Sequence, residues 1–122
     1  MIARSVHHIS FAVRDLDRSR HFYEEILGLA PIARPDLGLP GAWYRAGEAE
    51  VHLIATPDGV EIGQPAPKLT PLANHNAFAI DDYDKVVAFL KSKDIEVLET
   101  HAEAGQLWIR DPDGNVIELI SR

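Results

Sequence analysis

Hydrophobic and polar residues alternate with a period of two along residues 6–13, which predicts a β-strand. Its apolar face carries Phe11, and its small, polar face carries His8. The pattern then changes to a 3.6-residue period, which predicts a helix capped by Asp15 and ended by Gly28. Three further strands are predicted at residues 29–34, 42–46 and 50–55. The first half of the chain is therefore predicted to be a βαβββ module.

The second half of the chain repeats this order of residue types. His75 follows His8 by 75 − 8 = 67 positions. The same shift relates three further pairs: Phe11 and Phe78, Asp15 and Asp82, and Asp17 and Asp84. The alternating pattern predicts strands at residues 73–80, 95–100, 106–110 and 116–121, with a helix after the first of them. Such internal repetition indicates two copies of one structural unit.

A proline-rich segment separates the two copies. Residues 57–72 hold four of the eight prolines, and proline disfavours regular helices and central strands. We therefore predict a single domain with its first module at residues 6–56, a linker at 57–72 and its second module at 73–122. Each module covers one face of its sheet with a helix and needs a partner for the other face. The predicted fold is α+β, with a cupped, open mixed β-sheet around a cleft and the helices on its outer face.

Charge and composition exclude several function classes. The 122 residues carry a net charge of −7, with a pI near 5.2 and no cluster of basic residues, which argues against a nucleic-acid or anionic membrane partner. The absence of cysteine removes disulfides, thiolate nucleophiles and cysteine-based zinc sites. No apolar run approaches the roughly 18 residues of a membrane span, and no apolar leader precedes the first strand. We predict a cytoplasmic protein.

Four repeat-related side chains are predicted to face the cleft. His8 and His75 occupy the same place in the two modules, each beside small residues. His52 and Glu118 lie on the last strands and are related by 118 − 52 = 66 positions. Imidazole and carboxylate together suit zinc, nickel, iron or manganese, and an open coordination position would polarise an oxygen of a small-molecule substrate. Strand alternation directs His7 away from His8, so His7 is predicted not to be a ligand.

These patterns resemble the vicinal oxygen chelate superfamily. That group includes glyoxalase I, methylmalonyl-CoA epimerase, fosfomycin-resistance thiol transferases, extradiol dioxygenases and bleomycin-binding proteins. The resemblance covers nearly the whole chain. It rests on His8, Ile9, Val13 and Asp15 at the start, on Phe22, Tyr23, Leu27, Gly28 and Leu29 in the helix, on the repeated His75, and on Asp111, Pro112, Asp113, Gly114, Asn115 and Glu118 around the last turn.

The resemblance implies a metal site and a reaction class. It assigns His8, His75 and Glu118 as metal ligands, and the fourth position of the family falls on His52. In lyases and isomerases of the glyoxalase and epimerase kind, the metal chelates two adjacent substrate oxygens and stabilises the anion that forms as a carbon acid loses its proton. Glu118 would be the base that takes this proton.

Two alternatives stay open. In an extradiol dioxygenase, the same two histidines and Glu118 would hold iron(II), and His52 would act as an acid or base beside the metal or as a fourth ligand. A metal-free binding protein of the bleomycin-resistance type is the second alternative, because an acidic cleft suits a cationic ligand. Short members of the superfamily are usually homodimers, so the resemblance also implies a homodimer.

Aromatic and basic residues recur on equivalent strands of the two modules. Trp43 and Trp108 are predicted to lie in the core or to form a wall of the cleft against a planar substrate. Arg45 and Arg110, near strand ends, are candidates for pairing with a substrate carboxylate or phosphate, although solvated surface arginines are commoner.

Overall fold

A computed structural model describes residues 1–121 of the chain. The chain divides into two compact units, of which the first is Met1–Gly63 and the second begins at Gln64. This division falls inside the segment of residues 57–72 that we propose as the connection between the modules. No helix within residues 1–121 combines the length and the apolar character that crossing a membrane requires.

The first unit is a four-stranded mixed sheet with one helical segment. Its strands lie in the order β1-β4-β3-β2, with β1 parallel to β4 and the other neighbouring pairs antiparallel. Its elements are β1 (His8–Val13), α1 (Leu16–His21), a π-helical segment (Phe22–Ile26), β2 (Ala30–Ile32), β3 (Gly41–Ala46) and β4 (Ala49–Ala55).

The second unit has the same topology, which confirms the predicted repeat and the α+β class. Its strand order is β5-β8-β7-β6, again with one parallel pair between the first and last strands. Its elements are β5 (His75–Ile80), α2 (Tyr83–Ser92), β6 (Leu98–His101), a short 3₁₀ turn (Ala102–Ala104), β7 (Gln106–Arg110) and β8 (Val116–Ser121). Each unit therefore joins its first strand to its last by parallel pairing.

Alternation along the strands separates the core face from the open face. In β4, Val51 and Leu53 are fully buried on one face, and His52 lies between them on the other. Tyr23 from the helical segment packs its ring 5.4 Å from that of Phe11 on β1. The helical segment therefore covers the apolar face of the first sheet, as the sequence predicts.

Both helices begin at the predicted aspartates. Asp15 accepts a hydrogen bond from the backbone N–H of Arg18, and Asp82 accepts the equivalent bond from Lys85. Each aspartate thus satisfies one of the N–H groups that a helix start leaves without a partner. The 67-residue repeat therefore extends to the hydrogen bond that caps each helix.

The first helix differs from the regular α-helix that its periodicity predicts. After His21 the backbone continues as a π-helical turn, in which the Leu27 N–H donates to the Phe22 carbonyl five residues earlier. Gly28 then adopts a φ of 74°, a left-handed conformation that glycine takes without strain, and ends the segment. The predicted stop is confirmed, and the last turn is wider than predicted.

Strand β6 starts later than the predicted residue 95. The Ile95 N–H donates to the Leu90 carbonyl at 3.1 Å, so the chain at this point still closes the end of α2. Pairing with β7 begins only at Leu98, which lies opposite Trp108. The hydrogen bond that closes the end of the helix therefore involves a residue that alternation alone assigns to a strand.

Ionisation of Tyr44 is expected to lower the stability of the protein in alkali. Its side chain is fully buried and donates to Glu24 at 2.8 Å, and burial followed by this bond raises its pKa. Unfolded tyrosine ionises near pH 10, so the stabilisation is complete below about pH 10 and is lost as pH rises toward the higher pKa of the folded state. Tyr44→Phe should lose about 1 kcal/mol at pH 7 and show a flatter decline in urea-unfolding free energy above pH 10.

Tyr83→Phe serves as the comparison for that measurement. Burial and a bond to Glu99 raise the pKa of Tyr83 to about 12, but its side chain is only partly buried. We expect a smaller change in the alkaline slope than for Tyr44→Phe. Equal slopes for Tyr44→Phe and wild type above about pH 10 would contradict the assignment.

Candidate functional site

The open face of the first unit carries a column of three stacked rings. Strands β1 and β4 are parallel neighbours, with Ser10 opposite His52. The His8 and His52 rings stack with centroids 4.1 Å apart and planes 16° apart. On its other side His52 stacks against Trp43, with centroids 4.1 Å and planes 6° apart. The first two predicted site residues are thus brought into contact, with a tryptophan as the third ring.

A carboxylate fixes the orientation of the His52 ring. Glu50 lies two residues earlier on the same face, and its Oε1 accepts a hydrogen bond from His52 Nε2 at 2.9 Å. Arg45 Nη2 approaches the other oxygen of Glu50 at 3.5 Å. The bond from His52, helped by the charge of Arg45, lowers the pKa of Glu50 below its ordinary value. His52 is held between two rings and tied at Nε2.

His7 lies closer to the site than strand alternation predicts. Its Nδ1 is 2.9 Å from Nδ1 of His8, and the two rings meet edge to face at 5.2 Å. The physical reason is that β1 begins at His8, so His7 precedes the regular strand and its side chain is free to turn. The hydrogen bond occupies His8 Nδ1 and leaves Nε2 as the ring nitrogen available to a ligand.

The open face of the second unit brings His75 and Glu118 together. Strands β5 and β8 are parallel neighbours, and Ala77 lies opposite Glu118. His75 Nε2 is 3.4 Å from Glu118 Oε1. His75 Nδ1 donates to the Ala73 carbonyl at 2.8 Å, since a carbonyl only accepts. With Nδ1 bonded to the Ala73 carbonyl, Nε2 is the ring nitrogen of His75 that faces the carboxylate of Glu118.

Neighbouring side chains hold both members of this pair. Gln106 Nε2 donates to Glu118 Oε2 at 3.0 Å, so one carboxylate oxygen is fixed and the other faces His75. The Trp108 and His75 rings meet edge to face with their centroids 4.6 Å apart, and Trp108 Nε1 donates to Thr100 at 3.1 Å. Glu118 is buried, with 8% of its surface exposed. The pair is preorganised by hydrogen bonds and packing.

The spacing of His75 and Glu118 fits a shared metal ion. Two ligand atoms about 2.1 Å from one ion lie about 3.0 Å apart at an octahedral angle and about 3.4 Å apart at a tetrahedral angle. The observed 3.4 Å matches the tetrahedral value. Among residues 1–121, no group of three or more His, Asp or Glu side chains is close enough to hold an ion by itself. The complete predicted ligand set therefore stays a prediction.

Two contributors to these pairs were not identified from the sequence, although strand alternation contains the signal. Glu50 precedes His52 by two positions and so shares its face. Gln106 precedes Trp108 by two positions, and Trp108 lies directly opposite Glu118. Trp43 and Trp108 both lie on the open faces beside the histidines rather than on the helix-covered faces. Alternation counted from His52 and from Trp108 would have found both missed residues.

Comparison with known proteins shows which family the chain resembles. Residues 5–119 match the family described as the Glyoxalase/Bleomycin resistance protein/Dioxygenase superfamily. A protein named Glyoxylase I 4 from Arabidopsis thaliana is 31% identical over 94% of this chain and 69% of its own length. Metallothiol transferase FosB from Staphylococcus epidermidis is 30% identical over 94% of this chain and 80% of its own. The crystal structure of a glyoxalase family protein from Bacillus anthracis superimposes with a TM-score of 0.80 at 25% identity, covering 100% of this chain and 98% of the other.

Proposed function

The chain belongs to the Glyoxalase/Bleomycin resistance protein/Dioxygenase superfamily, and from this membership we propose that it is a divalent-metal-dependent enzyme of the vicinal oxygen chelate type. The proposed chemistry is that of a lyase or isomerase, glyoxalase-like or epimerase-like, on a small-molecule substrate with two adjacent oxygens. The observation that carries the proposal is the His75–Glu118 pair, in which Nε2 and Oε1 face each other at 3.4 Å while Nδ1 is bonded to the Ala73 carbonyl.

The proposed ligands are His8, His75 and Glu118, the set that the resemblance implies. Zinc, nickel, iron and manganese all accept two histidines and one carboxylate. When bound, the ion would supply a positive charge that polarises two adjacent substrate oxygens. His75 suits this role because the Ala73 carbonyl holds its Nδ1–H, which fixes the tautomer with a free Nε2. His8 is prepared in the same sense when its Nδ1 is the donor in the contact with His7.

Glu118 is the proposed base. The hydrogen bond from Gln106 holds Oε2, which leaves Oε1 on the side of His75 and available for proton transfer. Its burial strengthens electrostatic interactions with any charge that develops nearby. Gln106 is a positioning residue in this scheme, since it contacts the carboxylate and not the substrate.

His52 is proposed as a lining residue beside the metal. A histidine binds a metal through a lone pair in the plane of its ring. The planes of His8 and His52 are nearly parallel, with centroids 4.1 Å apart, so the two rings, as they stack, direct their lone pairs to different points. His52 Nε2 is also occupied by Glu50. These contacts favour a role in acid–base chemistry or substrate packing over direct ligation.

Metal content tests the proposal. We expect the purified chain to hold close to one equivalent of a divalent metal by elemental analysis, and His8→Ala and Glu118→Ala to lose it. Glu96→Ala is the matched control, because Glu96 is an exposed residue on the same unit as Glu118 and pairs with Arg110. Wild-type protein that neither retains nor takes up metal would overturn the enzyme proposal and favour the metal-free binding protein.

Turnover distinguishes the reaction classes. Anaerobic conversion of dicarbonyl–thiol adducts or epimerisable acyl thioesters would support the lyase or isomerase. Consumption of dioxygen with catechols, and no anaerobic turnover, would move the assignment to the extradiol dioxygenase, for which two histidines and one carboxylate are the usual iron ligands. A homodimer and a cytoplasmic location stay predictions that accompany this proposal.

A further inference from the structure

Arg34 lies over a glycine on the first sheet. It follows β2, and its side chain packs against Gly41 at the start of β3. A Cβ on Gly41 would lie 2.8 Å from both Cζ and Nε of Arg34, and it would also collide with the Leu53 carbonyl. Any residue other than glycine would therefore displace the guanidinium. The guanidinium of Arg34 therefore occupies the space that a side chain at position 41 would need.

The Nε–H of Arg34 lacks an acceptor within residues 1–121, although the nitrogen is buried. Other arginines of the chain contact carboxylates or carbonyls: Arg14, Arg20, Arg45 and Arg110. The chain has 19 acidic residues against 12 basic ones, so acceptors are abundant. A buried N–H without an acceptor is unfavourable, and such a group in a native fold calls for an explanation, of which a bound ion is one.

Arg34 lies on the same face as the stacked rings. Side chains two positions apart on a strand share a face, so Gly41 shares the face of Trp43, which stacks on His52. Gly41 lies opposite Ile54, whereas His8 lies opposite Glu50, four residues earlier on β4. At about 3.3 Å per residue the two rows are about 13 Å apart along the strand. The cation is on the open face but well separated from His8.

We propose that Arg34 binds an oxyanion, a carboxylate or a phosphate, carried on an arm of the substrate at least about 13 Å from the oxygens that react. The reason for an oxyanion is that the planar guanidinium donates two parallel hydrogen bonds to a pair of oxygens. The distance excludes a three-carbon acid, which spans only about 5 Å with ordinary bond lengths. A thiol conjugate or acyl thioester with an anionic end satisfies it. The placement of the reacting oxygens rests on the proposed function, through His8.

Anion binding by Arg34 is measurable without a substrate. In ¹⁵N-labelled full-length protein, the buried Nε–H of Arg34 should give a slowly exchanging resonance, assigned by its loss in Arg34→Lys. Titration with methylphosphonate and with acetate should shift this resonance saturably, with a Kd in the low millimolar range, or roughly 10⁻³ M. The probe that binds more tightly identifies phosphate or carboxylate as the preferred group.

Two variants test whether anion binding needs the planar pair of donors of the guanidinium or only its positive charge. Arg34→Lys keeps the charge and loses the planar pair of donors, so the Kd read from neighbouring backbone amides should rise at least about 10-fold. Arg4→Gln removes one positive charge from an exposed residue near the N-terminus and should change the Kd less than about 2-fold. A Kd that is unchanged in Arg34→Lys but raised in Arg4→Gln would reduce the effect to net charge and overturn the proposal.

The result is separable from the metal proposal. The titration is run on the protein as purified and again after treatment with EDTA, and the Arg34 resonance should respond in both. A resonance that does not shift with either probe at roughly 50 times the expected Kd overturns the Arg34 assignment and leaves the metal measurement untouched. If Arg34→Lys fails to fold, the resonance is assigned in ¹³C,¹⁵N-labelled wild-type protein through its bonded side-chain carbons to the Arg34 backbone, and the wild-type titration decides the outcome.

Discussion

Glu118→Gln is expected to lower kcat/KM by about 10³-fold or more in whichever lyase or isomerase assay reveals turnover. The substitution removes the negative charge that we propose to bind the metal and the oxygen that we propose as the base, and it preserves the shape of the side chain. The amide oxygen still accepts the hydrogen bond from Gln106, so the fold should be retained. The measurement is steady-state kinetics with metal in excess, accompanied by thermal unfolding.

Glu96→Gln is the control for that loss. It makes the same change of charge at an exposed residue of the same unit, where Glu96 Oε1 pairs with Arg110 at 2.9 Å. Exposed pairs of this kind contribute little to stability, so neither kcat/KM nor the unfolding temperature should change appreciably. A Glu118→Gln variant that keeps more than about a tenth of wild-type kcat/KM would remove Glu118 from the role of base.

Asp111→Ala is expected to destabilise the chain by about 2–4 kcal/mol, a large effect for a substitution in a turn between strands. Asp111 is buried, and its carboxylate accepts hydrogen bonds of 2.9 Å from the backbone N–H groups of Asp113 and Asn115 and from the Asn115 side chain. Alanine leaves these donors without their acceptor in the turn that leads into β8. Urea unfolding measures the loss.

Asn115→Ala provides the graded comparison. It removes only the side-chain bond to Asp111 and leaves the two backbone bonds in place, so the expected cost is about 1 kcal/mol. Because the turn fixes where β8 begins, Asp111→Ala should also weaken metal binding through Glu118, seven residues later. Equal unfolding free energies for Asp111→Ala and wild type would show that water replaces the carboxylate in this turn.

The sequence predicts the topology because the signals that set it are local and are repeated. Period-two alternation and the two aspartate caps are enough to place each module's first strand and helix, and the structure confirms them. The same alternation correctly places His8 with His52 and His75 with Glu118 on the open faces. Residues whose role depends on which face of a strand they occupy are thus accessible without a structure.

Ring orientations and loop conformations are not accessible in this way. Alternation gives the face of His52 but not the rotation that ties its Nε2 to Glu50. The turn of His7 toward His8 depends on the residue at which the strand begins, which periodicity defines only to within a few positions. Arg34 reaches Gly41 through a loop without regular periodicity. These features depend on tertiary contacts, which no short window of sequence contains.

The π-helical turn at Phe22–Ile26 has a consequence for the spacing of the two copies. Up to this segment the two units keep one spacing, since 82 − 15 = 67 and 89 − 22 = 67, but beyond it the tryptophans differ by 108 − 43 = 65. The first unit is thus two residues longer between these landmarks, and a turn closed over five residues instead of four accommodates one of them. The two copies differ in length again in the last hairpin, where the shift becomes 118 − 52 = 66, while the interval from each first histidine to its helix cap is seven residues in both copies.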